Sequence, residues 1–364
     1  MAAEPDKLER RAAWLFMAPF LFLLAIFFYY AAIRTAWLSF FDYDLFTTPE
    51  FVGPSNYVSL FSDPLFLFAL RNSLLFAVVV TATQTILALM LAAFVNRIAI
   101  GQSSARTVFY FPSMVSSTVM TLIFLWLFQR RGIVTDLVNW GANHAWIIGC
   151  FVIVLALVQG ALVWNARRRY RGVRAYDPFF LVFSVAAALA VTFALRLFQV
   201  LPVGDVSEPI SWLNTRDTFL FMPRTLWAIA AINVFTTVPV MMLLYLAGLQ
   251  SIPGSLYEAA EIDGATKWTQ FWRITVPLLG PVTFAVVTLG LIGTLQMFDQ
   301  VAILGAAAPI ESRVTLAYYT YFNTFPPGGS PRIGMASAGA ISLGLLTLVI
   351  VFLQRRLGIS DKGV

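Results

Sequence analysis

Few side chains in this sequence are equipped for covalent or metal chemistry. One cysteine, Cys150, and one histidine, His144, rule out an intrachain disulfide and leave no cluster of soft ligands for a metal. Asp42 and Asp44, two positions apart in a polar stretch, come nearest to a pair of acids, but that spacing is equally that of a solvated loop. The three lysines, Lys7, Lys267 and Lys362, follow no Gly-x-x-x-x-Gly-Lys-Ser/Thr phosphate loop, so a nucleotide has no site on this chain. What remains is polar chemistry in apolar surroundings. Asn233, Thr236 and Thr237 lie in one apolar run, Gln296, Asp299 and Gln300 lie late in another, and residues 255–277 form a charge-bearing island between the two.

The elements that hold these groups follow from composition. With 12% charged residues, 59% hydrophobic residues and a mean hydropathy of +0.80, the chain reads as an all-α, polytopic membrane helix bundle. A crossing takes about 20 apolar residues. Eight runs qualify: 13–33, 68–95, 107–128, 145–164, 178–200, 224–248, 278–304 and 333–353. The first is long enough to span and is followed by bulky residues, so it reads as a retained helix rather than a cleaved signal.

An even count puts both ends on one side. Fifteen of the 24 cations fall on that side, among them Arg97, Arg106, Lys267, Arg273, the run Arg167-Arg168-Arg169 and the pair Arg355-Arg356. The positive-inside rule then places both termini in the cytoplasm, and the net charge of +6 reflects topology rather than nucleic-acid binding. Residues 1–12 and 354–364 become cytoplasmic ends. Residues 140–208 read as an inserted transmembrane hairpin, with Trp146 and Trp164 at the two interfaces and Asp177-Pro178 opening its second helix. It divides the helical body into 13–139 and 209–353.

The island admits two readings. Ser255 with Glu258 three residues on has capping-box spacing, a purely structural role. Ala259 and Ala260 also form a small-residue surface, Gly264 permits a bend, and Trp268, Phe271, Trp272 and Ile274 form an apolar stripe on the next turn. Pro277 sits where the following crossing should begin. Together these predict two short helices with a bend, offered to a partner on the cytoplasmic side.

Glu258-Ala259-Ala260, then Gly264, Ile274 and Pro277, at these spacings, resemble the EAA loop of binding-protein-dependent ABC importers, with Val276 where the family has leucine. Phe51-Val52-Gly53-Pro54-Ser55-Asn56-Tyr57, Asn72-Ser73-Leu74-Leu75-Phe76 and Leu249-Gln250-Ser251-Ile252-Pro253 look like the carbohydrate-uptake branch. The chain is similar to the larger membrane subunit of the maltose importer over nearly all of its length except 140–208. The resemblance implies a six-helix core plus the inserted hairpin, in the cytoplasmic (inner) membrane of a bacterium or archaeon. It implies a second homologous permease, a pair of ATPase subunits carrying ATP and Mg, and an extracytoplasmic solute-binding protein. No cofactor is expected on this chain itself. Glu258, Ala259, Ala260, Asp263 and Gly264 inherit the ATPase-coupling role. Ala307-Ala308-Pro309 stands where the family has Gly-Gly-Pro.

For a solute path the best residues are Asn233, Thr237, Gln296, Asp299 and Gln300. In the maltose-type subunit the positions of Asn233, Thr237 and Gln296 carry asparagine, glycine and asparagine along the sugar path. Bonds between helices are the competing use of such groups. Phe298, Tyr318, Tyr319 and Tyr321 can offer ring faces to a sugar or form an interfacial belt. Only Arg71, Arg196 and Arg224 lie near or within spans, so a neutral sugar fits better than a phosphate. An importer for another solute such as glycerol phosphate, an intramembrane enzyme and a cation-coupled transporter are the alternatives; the last would want a midplane carboxylate.

Overall fold

A computed structural model describes residues 7–97, 101–169, 178–201, 204 and 210–356. Among the described residues seven helices are long and apolar enough to cross a membrane: Trp14–Leu38, Pro64–Asn96, Ala145–Arg168, Phe180–Leu197, Arg224–Ser251, Gly280–Ala307 and Ile333–Arg356. The run expected as one crossing at 107–128 is instead two helices, Gln102–Met114 and Ser117–Leu127, bent by 88°. Pro112 removes a backbone donor there, and Val115 is extended (φ −77°, ψ 138°), so the helical ladder stops. Counted as one broken span, the pair makes eight. Among the described residues the strands are two-residue pairs only, Phe41–Asp42 with Glu50–Phe51 and Thr218–Phe219 with Met222–Pro223.

The chain divides into two compact units, one of Met1–Phe124 with Asn214–Val364, the other of Leu125–Leu213. The second takes in the helix Ile133–Asn143 besides the long helices Ala145–Arg169 and Pro178–Leu197. Ser184 donates to Gln159 Oε1 at 2.7 Å between the long pair, a polar clip of the kind that bilayer helices use where no hydrophobic drive pulls them together. His144 stacks on Trp140 and places its Nδ1 2.7 Å from that residue's carbonyl. Pro178 opens its helix as expected, while Asp177 lies outside the described residues.

In the first unit Pro64–Asn96 packs along Arg224–Ser251 and Gly280–Leu295. Ala88, Ala92 and Val95 recur at helical spacing and seat against Val238, Met242, Tyr245 and Leu249, small against large, so the backbones approach closely. Asp63 caps the long helix by accepting from Leu65 N at 2.9 Å, with Pro64 behind it. Asn72 Nδ2 donates to the carbonyls of Glu311 and Val314, and Ser73 Oγ accepts from Leu316 N, so the Asn72-Ser73 pair anchors a loop more than two hundred residues away in sequence.

Asn56 Nδ2 similarly holds the carbonyls of Ser39 and Phe41 at 2.9 Å. Gly334 fits beneath this turn, where an added Cβ would lie 2.0 Å from the Phe41 carbonyl oxygen. Backbone cannot swing aside as a side chain can. Gly334→Ala should therefore cost about 1–3 kcal/mol of stability, visible as a lower midpoint of thermal unfolding in detergent. An unchanged midpoint would refute this packing.

Candidate functional site

The island is built as two helices around a glycine. Gly254–Ile262 starts one residue before Ser255, with Pro253 as cap residue and no side-chain cap bond, so the expected Ser255–Glu258 capping box is not formed. Ser255 is already inside the first turn, and Glu258 is left exposed. The helix ends with Gly264 N–H donating to the Glu261 carbonyl at 3.0 Å and Ala265 N–H to the Ala260 carbonyl at 2.8 Å. This paired closure needs a left-handed residue after the cap, and Gly264 supplies it at φ +77°. Thr266 then caps Lys267–Gln270 by accepting from Thr269 N, and a π turn, Phe271–Thr275, leads on.

Three contacts bind the two helices together. Lys267 pairs with Glu261, Gln270 Nε2 reaches the carbonyls of Tyr257 and Ala265, and the Tyr257 and Thr275 hydroxyls meet at 2.9 Å. Sequence reading singled out none of Tyr257, Gln270 and Thr275, because their partners lie five to eighteen residues away. The outer surface carries Glu258, Ala259, Asp263 and Gly264 exposed, with Ala260 half-buried and Ile262 87% exposed. Trp268 and Trp272 stack edge to face and are also exposed, whereas Phe271 and Ile274 are half-buried. The next crossing begins at Gly280-Pro281; Pro277 lies in a separate turn, Val276–Leu278, just before it.

That crossing is itself broken. Gly280–Leu295 stops, Gln296–Phe298 is irregular, and Asp299–Leu304 resumes. The break opens a cavity of about 200 Å³ lined by Asn233, Gln296, Asp299 and Gln300 together with Ser117, Gly293, Met297 and Phe298. Four of the five predicted path residues thus converge. Asn233 Nδ2 donates to Gln300 Oε1 at 3.4 Å, while Asn233 Oδ1 is enclosed with no protein partner. Thr237 does not line this cavity. Its hydroxyl donates to Gln84 Oε1 at 2.9 Å and is 2.7 Å from the Asn233 carbonyl, a link between helices. Thr236 turns back onto the carbonyls of Ile232 and Asn233.

The aromatic candidates separate. Tyr319 is fully buried and donates to Asp63 Oδ2 at 2.6 Å, so it presents no face to a solute. Burial, reinforced by that carboxylate, pushes its phenol above the ordinary tyrosine range. Phe298 does line the cavity, and Tyr318 stacks on it from behind.

One cation was missed. Arg313, 6% exposed, donates to the carbonyls of Val301 and Ala308 and lies 4.6 Å from the Tyr318 ring centre, stapling the segment that follows Asp299. Its sequence neighbours are polar, so nothing local marks it as buried. Arg71 reaches the Phe221 carbonyl and Arg224 pairs with Asp217 at 3.2 Å.

Asp42 and Asp44 do not converge. Asp42 is paired across a strand with Glu50. Asp44 accepts from Thr47 Oγ1, Thr47 N and Phe46 N in a tight turn, bonds that hold its carboxyl below the usual carboxylate range. Among the described residues no group of three or more His, Cys, Asp or Glu is placed to hold a metal.

Comparison with known proteins agrees with this architecture. The lactose transport system permease protein LacF of Rhizobium radiobacter is 29% identical over 351 residues, 94% of this chain and 92% of that one. The sulfoquinovosyl glycerol transport system permease protein SmoG of Agrobacterium fabrum is 27% identical, over 96% of this chain and 91% of its own. The sn-glycerol-3-phosphate transport system permease protein UgpA of Yersinia pestis is 26% identical, over 93% and 90%. A bacterial ABC transporter chain involved in import of the acidic polysaccharide alginate shares the fold, with a TM-score of 0.65 at 18% identity over 97% of this chain and 98% of that chain. The profile of the binding-protein-dependent transport system inner membrane component matches residues 84–358, which include the island and most of the cavity lining. This multi-pass membrane chain therefore belongs to that family, as a transporter permease subunit.

Proposed function

We propose that this chain forms half of the translocation path of an ATP-driven importer for a neutral sugar or small oligosaccharide. ATP and Mg are held by a pair of ATPase subunits, one of which grips the exposed face of Gly254–Gly264; a second homologous permease completes the path. An extracytoplasmic binding protein delivers the solute, and both termini of this chain face the cytoplasm of the cell whose inner membrane it spans. Closure of the ATPases moves the gripped helix, and the Tyr257–Thr275 and Lys267–Glu261 ties pass that movement to the helix starting at Gly280.

The observation that carries the substrate reading is the cavity at the broken helix. Among the described residues its lining has one carboxylate, an enclosed amide oxygen without a partner and no cation. Such a site takes hydroxyl donors and opposes phosphates. The relatives named for lactose and for sn-glycerol-3-phosphate pose the choice, and the lining favours the first.

The test is uptake into proteoliposomes holding the complete assembly, with lactose and glycerol 3-phosphate as probes. Uptake that requires the ATPase subunits and prefers the sugar is expected. Preference for the phosphate would refute the substrate reading, and uptake without the ATPase subunits would refute the coupling.

A further inference from the structure

A second cavity, of about 570 Å³, lies at the foot of the bundle, where Pro64–Asn96 and Arg224–Ser251 both end against the island. Asn96, Arg97, Lys267 and Gln270 are among its polar lining residues, and Leu249 and Phe271 among its apolar ones. Among the described residues it holds two cations and no acid. Lys267 is shared with Glu261 outside the cavity, whereas Arg97 makes no ion pair among the described residues. The transport reading above uses Lys267, Tyr257 and Thr275 only for their ties within the island, and leaves the cavity itself and Arg97 without a role.

Depth identifies what fits. A helix of 33 residues is about 50 Å long, well beyond a hydrocarbon core of about 30 Å, so its final turn reaches the headgroup layer. Trp268 and Trp272, one turn apart and 72% and 51% exposed, directly follow the lining residues Lys267 and Phe271 in the chain, with Arg273 next, the residue types that anchor at that layer. A cavity lined by cations, amides and hydrocarbon, at phosphate depth, matches an anionic phospholipid, not a free solute.

We infer that Arg97 and Lys267 bind the headgroup phosphate of an anionic phospholipid in this cavity, wedged between the bundle and the island. The second half of the island is then a lipid-facing anchor, and only its first half faces the motor. The inference is independent of the ATPase-docking reading.

Mass spectrometry of the intact transporter complex, titrated with short-chain phosphatidylglycerol, short-chain phosphatidylcholine or inorganic phosphate, tests it. Saturable binding of phosphatidylglycerol in preference to phosphatidylcholine is expected, weakened about fivefold by Arg97→Gln and restored by Arg97→Lys. Lys267→Gln provides a second reading should the first variant assemble poorly. Equal binding of the two lipids, or affinity unchanged in Arg97→Gln and Lys267→Gln, would overturn the site. Displacement of the lipid by an equal concentration of inorganic phosphate would overturn the lipid assignment in favour of a soluble anion.

Discussion

Glu258→Lys is expected to abolish ATP-driven uptake and to lower the amount of ATPase subunit that co-purifies at least about thirtyfold, the usual cost of reversing a charge inside a protein interface. The chain itself should still insert and fold. Glu258 is exposed and makes no cap bond, so no described residue relies on it for its fold. Gly264 offers a graded version of the same experiment. A Cβ there would meet no atom within 4 Å, so the only penalty is the left-handed backbone at φ +77°. Alanine should cost about 1–2 kcal/mol of bend geometry and valine more, whereas asparagine, which tolerates that region, should stay close to wild type. Uptake that ignores both Glu258→Lys and Gly264→Val would mean that the island is not where the motor holds this chain.

Substitutions in the upper cavity should do the opposite. Asn233→Leu combined with Gln296→Ala is expected to raise the apparent KM for solute by about tenfold or more, at roughly 1–3 kcal/mol per lost buried hydrogen bond. Co-purification of the ATPase should not change. The stability of Asn233→Leu should be nearly balanced, because it removes one enclosed, unpartnered oxygen, Asn233 Oδ1, while depriving Gln300 Oε1 of its donor. Unaltered transport kinetics in this variant would show that the amides serve only to join helices.

The two sites were unequally legible in the sequence. Gly264 with the small residues before it could be read directly, because the Schellman closure is a local device whose donors and acceptors lie within six residues. The capping box misled for an equally local reason. The Ser255–Glu258 spacing was right, but the helix starts early at Gly254, and moving the cap two residues back to Pro253 puts the serine inside the first turn, where it makes no cap bond. In the crossing at 278–304, Gln296, Asp299 and Gln300 were legible as path residues, but not as the mark of a break at Gln296–Phe298. That break is stabilised from outside the run, by Thr315 donating to the Met297 carbonyl and by Arg313 gripping Val301.

From its sequence alone this protein is a helical membrane bundle with a polar island bent at Gly264, since span length and glycine conformation both act over a few residues. Tertiary structure alone decided that Asn233 meets Gln300, that Gln84 holds Thr237 and that Tyr319 is locked on Asp63. Each such partner lies far away in the sequence. In a bilayer, where apolar surface does not discriminate between neighbours, these few polar pairings and close glycine approaches select the packing, and their addresses are not written in any one segment.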